Sequence, residues 1–201
     1  VVTLGAITNN AGTLTISAGT VNTGAVTQNS VTVSGGNVTT GAINANTSVG
    51  ITGGALTTSG ITVTGNSVAN AGTLTFTGSS NANAITGAGT TIFAGNDLTN
   101  TGLISQAAQI ASGKQLTTNI ANLGGTITNA GTLITTGTLN KAIAGAGTTK
   151  INSALTMGTA ASVAGALDMN GGTLTLSDGT NTAYSVGKLL GSGNLAIDFG
   201  T

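Results

Sequence analysis

Histidine, cysteine, proline and tryptophan are all absent from this chain, and each absence excludes something. Without His and Cys there is no good ligand set for zinc, copper or iron. The commonest general base and the thiol nucleophile go with them, and disulfides are ruled out. Charge is nearly as scarce, at 4% of residues against roughly 25% in an average protein. The acids are four Asp and the bases four Lys, with no Glu and no Arg, so the net charge is zero. Such a surface offers no basic face, and nucleic acid has no electrostatic reason to bind. No apolar run reaches the roughly 18 residues of a membrane-spanning helix, so direct membrane insertion is not expected. The chain opens on Val1 and shows no signal-peptide pattern, which reads as a segment of a longer polypeptide.

What remains is narrow in composition. Among 201 residues there are 34 Gly, 41 Thr and 21 Asn. So many small polar residues raise the question of disorder, but disorder goes with low hydrophobicity and high net charge. Here mean hydropathy is positive, and Val, Ile and Leu recur at ordered intervals that can bury a core.

Internal repetition is the strongest signal. NAGTLTI at 10–16 returns as NAGTLTF at 70–76, NAGTLIT at 129–135 and NGGTLTL at 170–176, at intervals of 60, 59 and 41 residues. GAGTT occurs at 87–91 and 145–149, and the whole stretch 68–93 aligns with 127–151. Shorter echoes fill the intervals: Gly5-Ala6-Ile7, Gly24-Ala25-Val26 and Gly41-Ala42-Ile43. These spacings predict a coil of roughly 17–24 residues, grouped into a longer unit of three coils.

Inside each unit apolar residues alternate with Thr or Ser, as at Leu14/Ile16, Val31/Val33, Ile61/Val63, Leu74/Phe76, Leu174/Leu176 and Leu195/Ile197/Phe199. Period 2 places one row inward and the Thr row outward. Gly, Asn and Ser clusters such as Ser34-Gly35-Gly36-Asn37 and 50–54 supply the corners. Residues 103–115 admit a helical turn through Ile104, Ala107, Ala108 and Ala111; the competing reading is another coil with Leu116-Thr117-Thr118 as its strand. The fold expected is all-β: one continuous right-handed parallel β-helix, or β-solenoid, over 1–201, with about ten coils of ~20 residues. The alternative, an antiparallel sandwich or barrel, does not predict that beat. Proline would delete a ladder donor, and there is none; repeated Asn at equivalent corners would form amide ladders.

The NAGTL and GAGTT phrases, LTNTGLIS (98–105), ASGKQLTT (111–118) and LLGSGNL (189–195) resemble passenger repeats of Gram-negative autotransporters. They are also similar to coils of filamentous-haemagglutinin-type exoproteins, and the Thr/Asn/Gly-rich, charge-poor character is similar to that of rickettsial surface-layer autotransporters. The resemblance covers nearly the whole chain in short phrases. It implies a right-handed β-helix exported through the outer membrane and displayed on the cell or released from it. Nothing in the chain matches the translocation barrel of such proteins, so it implies a passenger segment only.

Asp97, Asp168, Asp178 and Asp198 are the only acids, and a carbohydrate-active β-helix would need two of them facing one bond. Their contexts are unrelated, so solvated turn residues are expected. Gly95-Asn96-Asp97 is the nearest fragment to a calcium motif, and one carboxylate is too few. Lys114, Lys141, Lys150 and Lys188 would form a basic strip if their coils aligned; solubilising surface charges are the plainer reading. Tyr184 is expected to be a partly buried ring with its hydroxyl at the edge. Gly87-Ala88-Gly89 and Gly191-Ser192-Gly193 lack the setting of phosphate loops and read as turns. Thr13/Thr15, Thr62/Thr64, Thr73/Thr75 and Thr173/Thr175 would suit an ice-binding face if they stacked in a flat array. No catalytic, cofactor-binding or metal residue is expected. The function expected is a non-enzymatic extracellular rod of a bacterial surface protein, structural or adhesive. Its expected partners are copies of itself, end to end or side by side, or a host or neighbouring cell surface.

Overall fold

In the computed structural model the chain winds into a three-sided parallel β-solenoid of about ten turns, described for residues 1–64, 67–78, 80–81, 83–177 and 183–198. Every strand pairing among the described residues is parallel and joins one turn to the next. The first side begins with Val2–Leu4, Thr20–Thr23 and residues 37–40; the second with residues 7–9, 26–28 and 42–45; the third with residues 13–16, 30–33 and 48–51. Register partners lie as few as 16 residues apart, at Ile127 and Ile143, and as many as 23, at Ser162 and Ser185. At about 4.8 Å per step the rod is about 48 Å long.

The inward row of each strand falls into columns along the axis. On the first side one column runs Val2, Val21, Val38, Leu56, Leu74, Thr91, Ala108, Ile127, Ile143, Val163, Val186. On the third, Leu14, Val31, Val49, Val68, Ile85, Ile104 and Leu123 stack in the same way. These columns are the core, and apart from the terminal coils they are almost fully buried. β-Branched and aliphatic side chains suit such a stack because each packs on its own kind one strand away. The two buried rings follow the same rule: Phe76 and Phe93 are register partners and stack with centroids 6.0 Å apart, 18° from parallel.

Glycine is required at the corner entering the first side. Gly19, Gly36 and Gly54 have φ of +84°, +77° and +69° and lie one above another. A Cβ on Gly36 would sit 2.3 Å from the Gly19 carbonyl oxygen. That carbonyl accepts the Asn37 N–H at 2.8 Å, and the Gly36 carbonyl accepts the Ala55 N–H at 2.9 Å. The ladder therefore runs through the corners as well as the strands. The short Gly-Ala-Ile/Val echoes mark true equivalents: Ile7, Val26 and Ile43 are register partners, and the Gly41 N–H donates to the Gly24 carbonyl at 3.1 Å.

The long repeat behaves differently, and here the expectation of a three-coil unit is corrected. Asn10 lies between the second and third sides, Asn70 at the end of a third-side strand, Asn129 at the end of a first-side strand, and Asn170 again between second and third. The copies do not stack along one side. Turns in the first two intervals take 17 to 19 residues, so a spacing of 60 or 59 is three turns plus one side. Each copy is a corner device that has moved one corner round. Residues 103–115 are likewise not helical: Ala107–Ile110 is a strand pairing with Thr90–Phe93, and Gln115–Asn119 is the next. The one helical turn in the described residues is the 3-10 segment Ile120–Asn122, capped by the Asn119 side chain on the Ala121 N–H.

Candidate functional site

The winding decides which of the few charged residues share a side. Lys114, Lys150 and Lys188 all lie on or at the edge of the second side, though in different register columns: Lys150 follows Ile134, and Lys188 follows Thr148 and Ala166. Asp97 and Asp168 lie on the same side, however, and Asp168 is the register partner of Lys150. The strip is mixed in sign, three Lys interspersed with two Asp, and is not the one-sign field that steers an anionic partner. Lys141 stands apart at the corner entering the first side, where its Nζ donates to the carbonyls of Leu123 (2.7 Å) and Gly124 (2.6 Å). It bridges two turns by capping exposed carbonyl oxygens.

Among the described residues the carboxylates of Asp97 and Asp168 are far apart. Asp97 and Asp168 flank the column Leu98, Leu116, Leu133, Thr149, Leu167 at its two ends. Four steps of about 4.8 Å put them roughly 19 Å apart, whereas glycosidase pairs sit about 5–9.5 Å apart. Asp198 is on the third side of the last coil, and Asp178 lies outside the described residues. The calcium-like fragment is already engaged: Asn96 Oδ1 accepts from Lys114 Nζ and Asp97 Oδ1 from Gln115 Nε2, both at 2.8 Å and both from the next turn. Among the described residues no three His, Cys, Asp or Glu side chains converge.

The Thr doublets are dispersed too. Thr13/Thr15 and Thr173/Thr175 are on the third side, Thr62 on the second and Thr73/Thr75 on the first. Their partners break the pattern: Thr13 stacks under Ser30, and Thr75 is followed by Ile92 and then Gln109. No flat Thr lattice results. Both glycine fragments are turns. The Gly89 N–H donates to the Asn70 carbonyl at 2.9 Å, and the Ser192 carbonyl accepts from the Gly171 N–H at 2.7 Å, leaving those groups committed to the ladder. Tyr184 is half-buried against the core, with its hydroxyl donating to the Ser177 carbonyl.

A polar seam inside the rod escaped the sequence reading. Asn81, Asn100, Thr118 and Thr135 are buried in one inward column of the second side. Asn81 Nδ2 donates to Asn100 Oδ1 at 2.8 Å, Asn100 Nδ2 to Thr118 Oγ1 at 3.3 Å, and Thr135 Oγ1 to the Thr118 carbonyl at 2.8 Å. Only one rung is Asn on Asn, so the expected amide ladder is short. Asn70 and Asn129 instead serve their corners: each Oδ1 accepts the N–H two residues on at 3.1 Å. Each Nδ2 reaches a carbonyl of the next turn, on Thr90 at 3.1 Å and Thr148 at 3.0 Å. The signal was present in the parity, since Asn100 follows Leu98 by two and must face the same way.

Outside this seam the described residues form grooves on the sides of the rod. A groove of about 240 Å³ beside Thr99, Thr101, Thr117, Asn119 and Asn152 presents hydroxyls and amides but no charge and no aromatic face. One of about 320 Å³ lies beside Lys141. No family model matches the chain, and neither a curated protein nor a solved structure does.

Proposed function

We propose that this chain is a non-enzymatic rod of a bacterial surface protein, displayed outside the cell, that supports or adheres. The observation that carries the reading is the uninterrupted column of inward residues from Val2 to Val186, and among the described residues no three His, Cys, Asp or Glu side chains converge. A backbone hydrogen-bonded to the next turn at strands and corners alike resists local opening. That is what a stalk or a coat outside the cell needs, where proteases are present and chaperones are not. The autotransporter-like phrases favour the same setting, and scarce charge suits a surface that packs against copies of itself or another cell. A carbohydrate-active enzyme would need a carboxylate pair, and an ice-binding face a Thr array; neither arrangement is among the described residues.

The test is location. Antibodies raised against the chain should label intact cells of the source organism, and protease added outside should remove the label. Labelling only after the cells are permeabilised would overturn the proposal.

A further inference from the structure

The fourth copy of the corner phrase differs from the others in a way that leaves a reactive bond on the surface. Asn170 is the only one of the 21 Asn that is followed directly by Gly. At Asn70 and Asn129 the next residue is Ala, the side chain is buried, and both of its polar atoms are hydrogen-bonded. Asn170 is exposed. Its Nδ2 reaches the Ile151 carbonyl at 3.3 Å, and its Oδ1 has no partner among the described residues. The backbone here is strained as well. Asn170 has a φ of +48° and Gly171 of +78°, and among the described residues Asn170 is the one non-glycine in the left-handed region. Asn enters that region more readily than most residues, yet still at a cost. Such an exposed corner belongs to the low end of local stability. Two backbone bonds hold it shut: the Gly171 N–H donates to the Ser192 carbonyl of the next turn and the Gly172 N–H to the Met169 carbonyl, both at 2.7 Å.

An Asn side chain loses its amide when the backbone nitrogen of the next residue attacks it, and Gly, with no Cβ, leaves that approach open. The bond to Ser192 restrains the Gly171 nitrogen, so the attack requires the corner to open first. We propose that Asn170 is a site of spontaneous deamidation, gated by this hydrogen bond. The Gly171 nitrogen forms a bond to Asn170 Cγ, the Cγ–Nδ2 bond breaks, and Nδ2 leaves as ammonia with the Gly171 proton. Water then opens the cyclic imide. Cleavage at Cγ leaves Asp; cleavage at the main-chain carbonyl leaves isoaspartate, with an extra carbon in the backbone. Water is the only co-reactant. Either product puts a second carboxylate beside Asp168, whose Oδ1 accepts the Asn170 N–H at 3.0 Å, and like charges so placed repel. The iso form also moves Gly171 and Gly172 away from their carbonyls. A rod that persists without replacement therefore carries a mark of its age at this corner, whether or not it is displayed on a cell.

The test incubates the folded 201-residue chain for weeks at mildly alkaline pH in water enriched in heavy oxygen. Cleavage after Lys150 and Lys188 releases residues 151–188, which also carry Asn152 and Asn181 as internal references. Fragment masses should show amide lost and heavy oxygen gained at 170 ahead of both references, and ion exchange should resolve the acidic product from the intact rod. In urea, where the corner no longer exists, conversion at 170 should be several-fold faster. Gly171→Ala, also read in urea so that its fold plays no part, should lose that advantage and fall to the rate of the references. Conversion spread evenly over the Asn residues overturns the proposal. So does a folded chain whose Asn170 stays intact after the unfolded chain has converted fully, since the corner would then never open. Equal rates folded and unfolded would remove the gate. A Gly171→Ala chain that converts as fast as the wild type in urea would show direct hydrolysis and overturn the cyclic route.

Discussion

Asn129 and Asn10 hold the same place in the same phrase, yet only one of them is part of the frame. Asn129 is 1% exposed and satisfied on both sides, accepting from the Gly131 N–H and donating to the Thr148 carbonyl. Asn10 is exposed, and its carbonyl, not its side chain, takes the contact from Asn46. Asn129→Ala leaves the half-buried Gly131 N–H and Thr148 carbonyl without their partner, which costs about 1–3 kcal/mol. Asn10→Ala should stay within about 0.5 kcal/mol of the wild type. Urea unfolding of the two variants side by side checks this, and equal losses would show that the phrase acts the same way at every copy. Thr149 gives a prediction of opposite sign. It is fully buried between Leu133 and Leu167, and its Oγ1 has no partner among the described residues. A hydroxyl buried without a hydrogen bond costs about 1–3 kcal/mol, so Thr149→Val, which keeps the shape, should raise stability by about 1 kcal/mol in the same assay. At this scale the sequence is a poor guide, because burial of an Asn or Thr depends on which corner the winding has reached.

Strands and corners are where the sequence speaks most clearly. The alternations at Leu14/Ile16, Val31/Val33 and Leu74/Phe76 are inward rows as read, and the Gly-Gly pairs are corners. The stretch 103–115 was ambiguous because Ile104, Ala107, Ala108 and Ala111 fit a helical face as well as a strand. The inward set is Ile104, Gln106, Ala108 and Ile110, spaced by two throughout, and a polar Gln and a small Ala hide the period that larger apolar side chains would reveal. The polar seam was illegible for a related reason: Asn81 and Asn100 read as turn formers, and only their parity with neighbouring apolar residues places them inside. Glycines separate by the same logic. Gly36→Ala must hold a Cβ at positive φ and 2.3 Å from the Gly19 oxygen, so a loss of about 1–3 kcal/mol is expected. Gly50 has open space and no positive φ within its strand. Gly50→Ala should leave stability unchanged or raise it by up to about 1 kcal/mol. Thermal unfolding of both variants separates a corner glycine from a permissive one, and a reversed order would refute the assignment of the corner.

At the scale of the whole molecule the three sides are interchangeable. The stretch 68–93 begins on the third side and 127–151 on the first, yet the two share Asn corners with the same hydrogen bonds. They also share glycines at positive φ, Gly87 and Gly145, set against the Asn70 and Asn129 carbonyls. A local sequence therefore specifies a strand and a corner without specifying which side of the rod they occupy. Side identity is set by counting turns from elsewhere, which is why the period of the repeat and the period of the coil disagree. The consequence is a deletion that ought to be silent. Removing residues 70–128 joins Ala69 to Asn129 and restores the phrase without a break, while every strand downstream moves one side round. The turns after the junction still lie on their own neighbours, and the junction itself stacks 132–135 where 73–76 had been. The product should melt cooperatively with a β-sheet spectrum, and small-angle scattering should find it shorter by three and a third turns, about 16 Å at the strand spacing. Removing 70–131 takes the Asn-Ala-Gly corner as well and should lower the melting temperature sharply, since nothing then turns the chain or caps its N–H groups. An unfolded product from the first deletion would mean that each side carries requirements of its own, and that stacking register, rather than the corner, chooses where the chain turns.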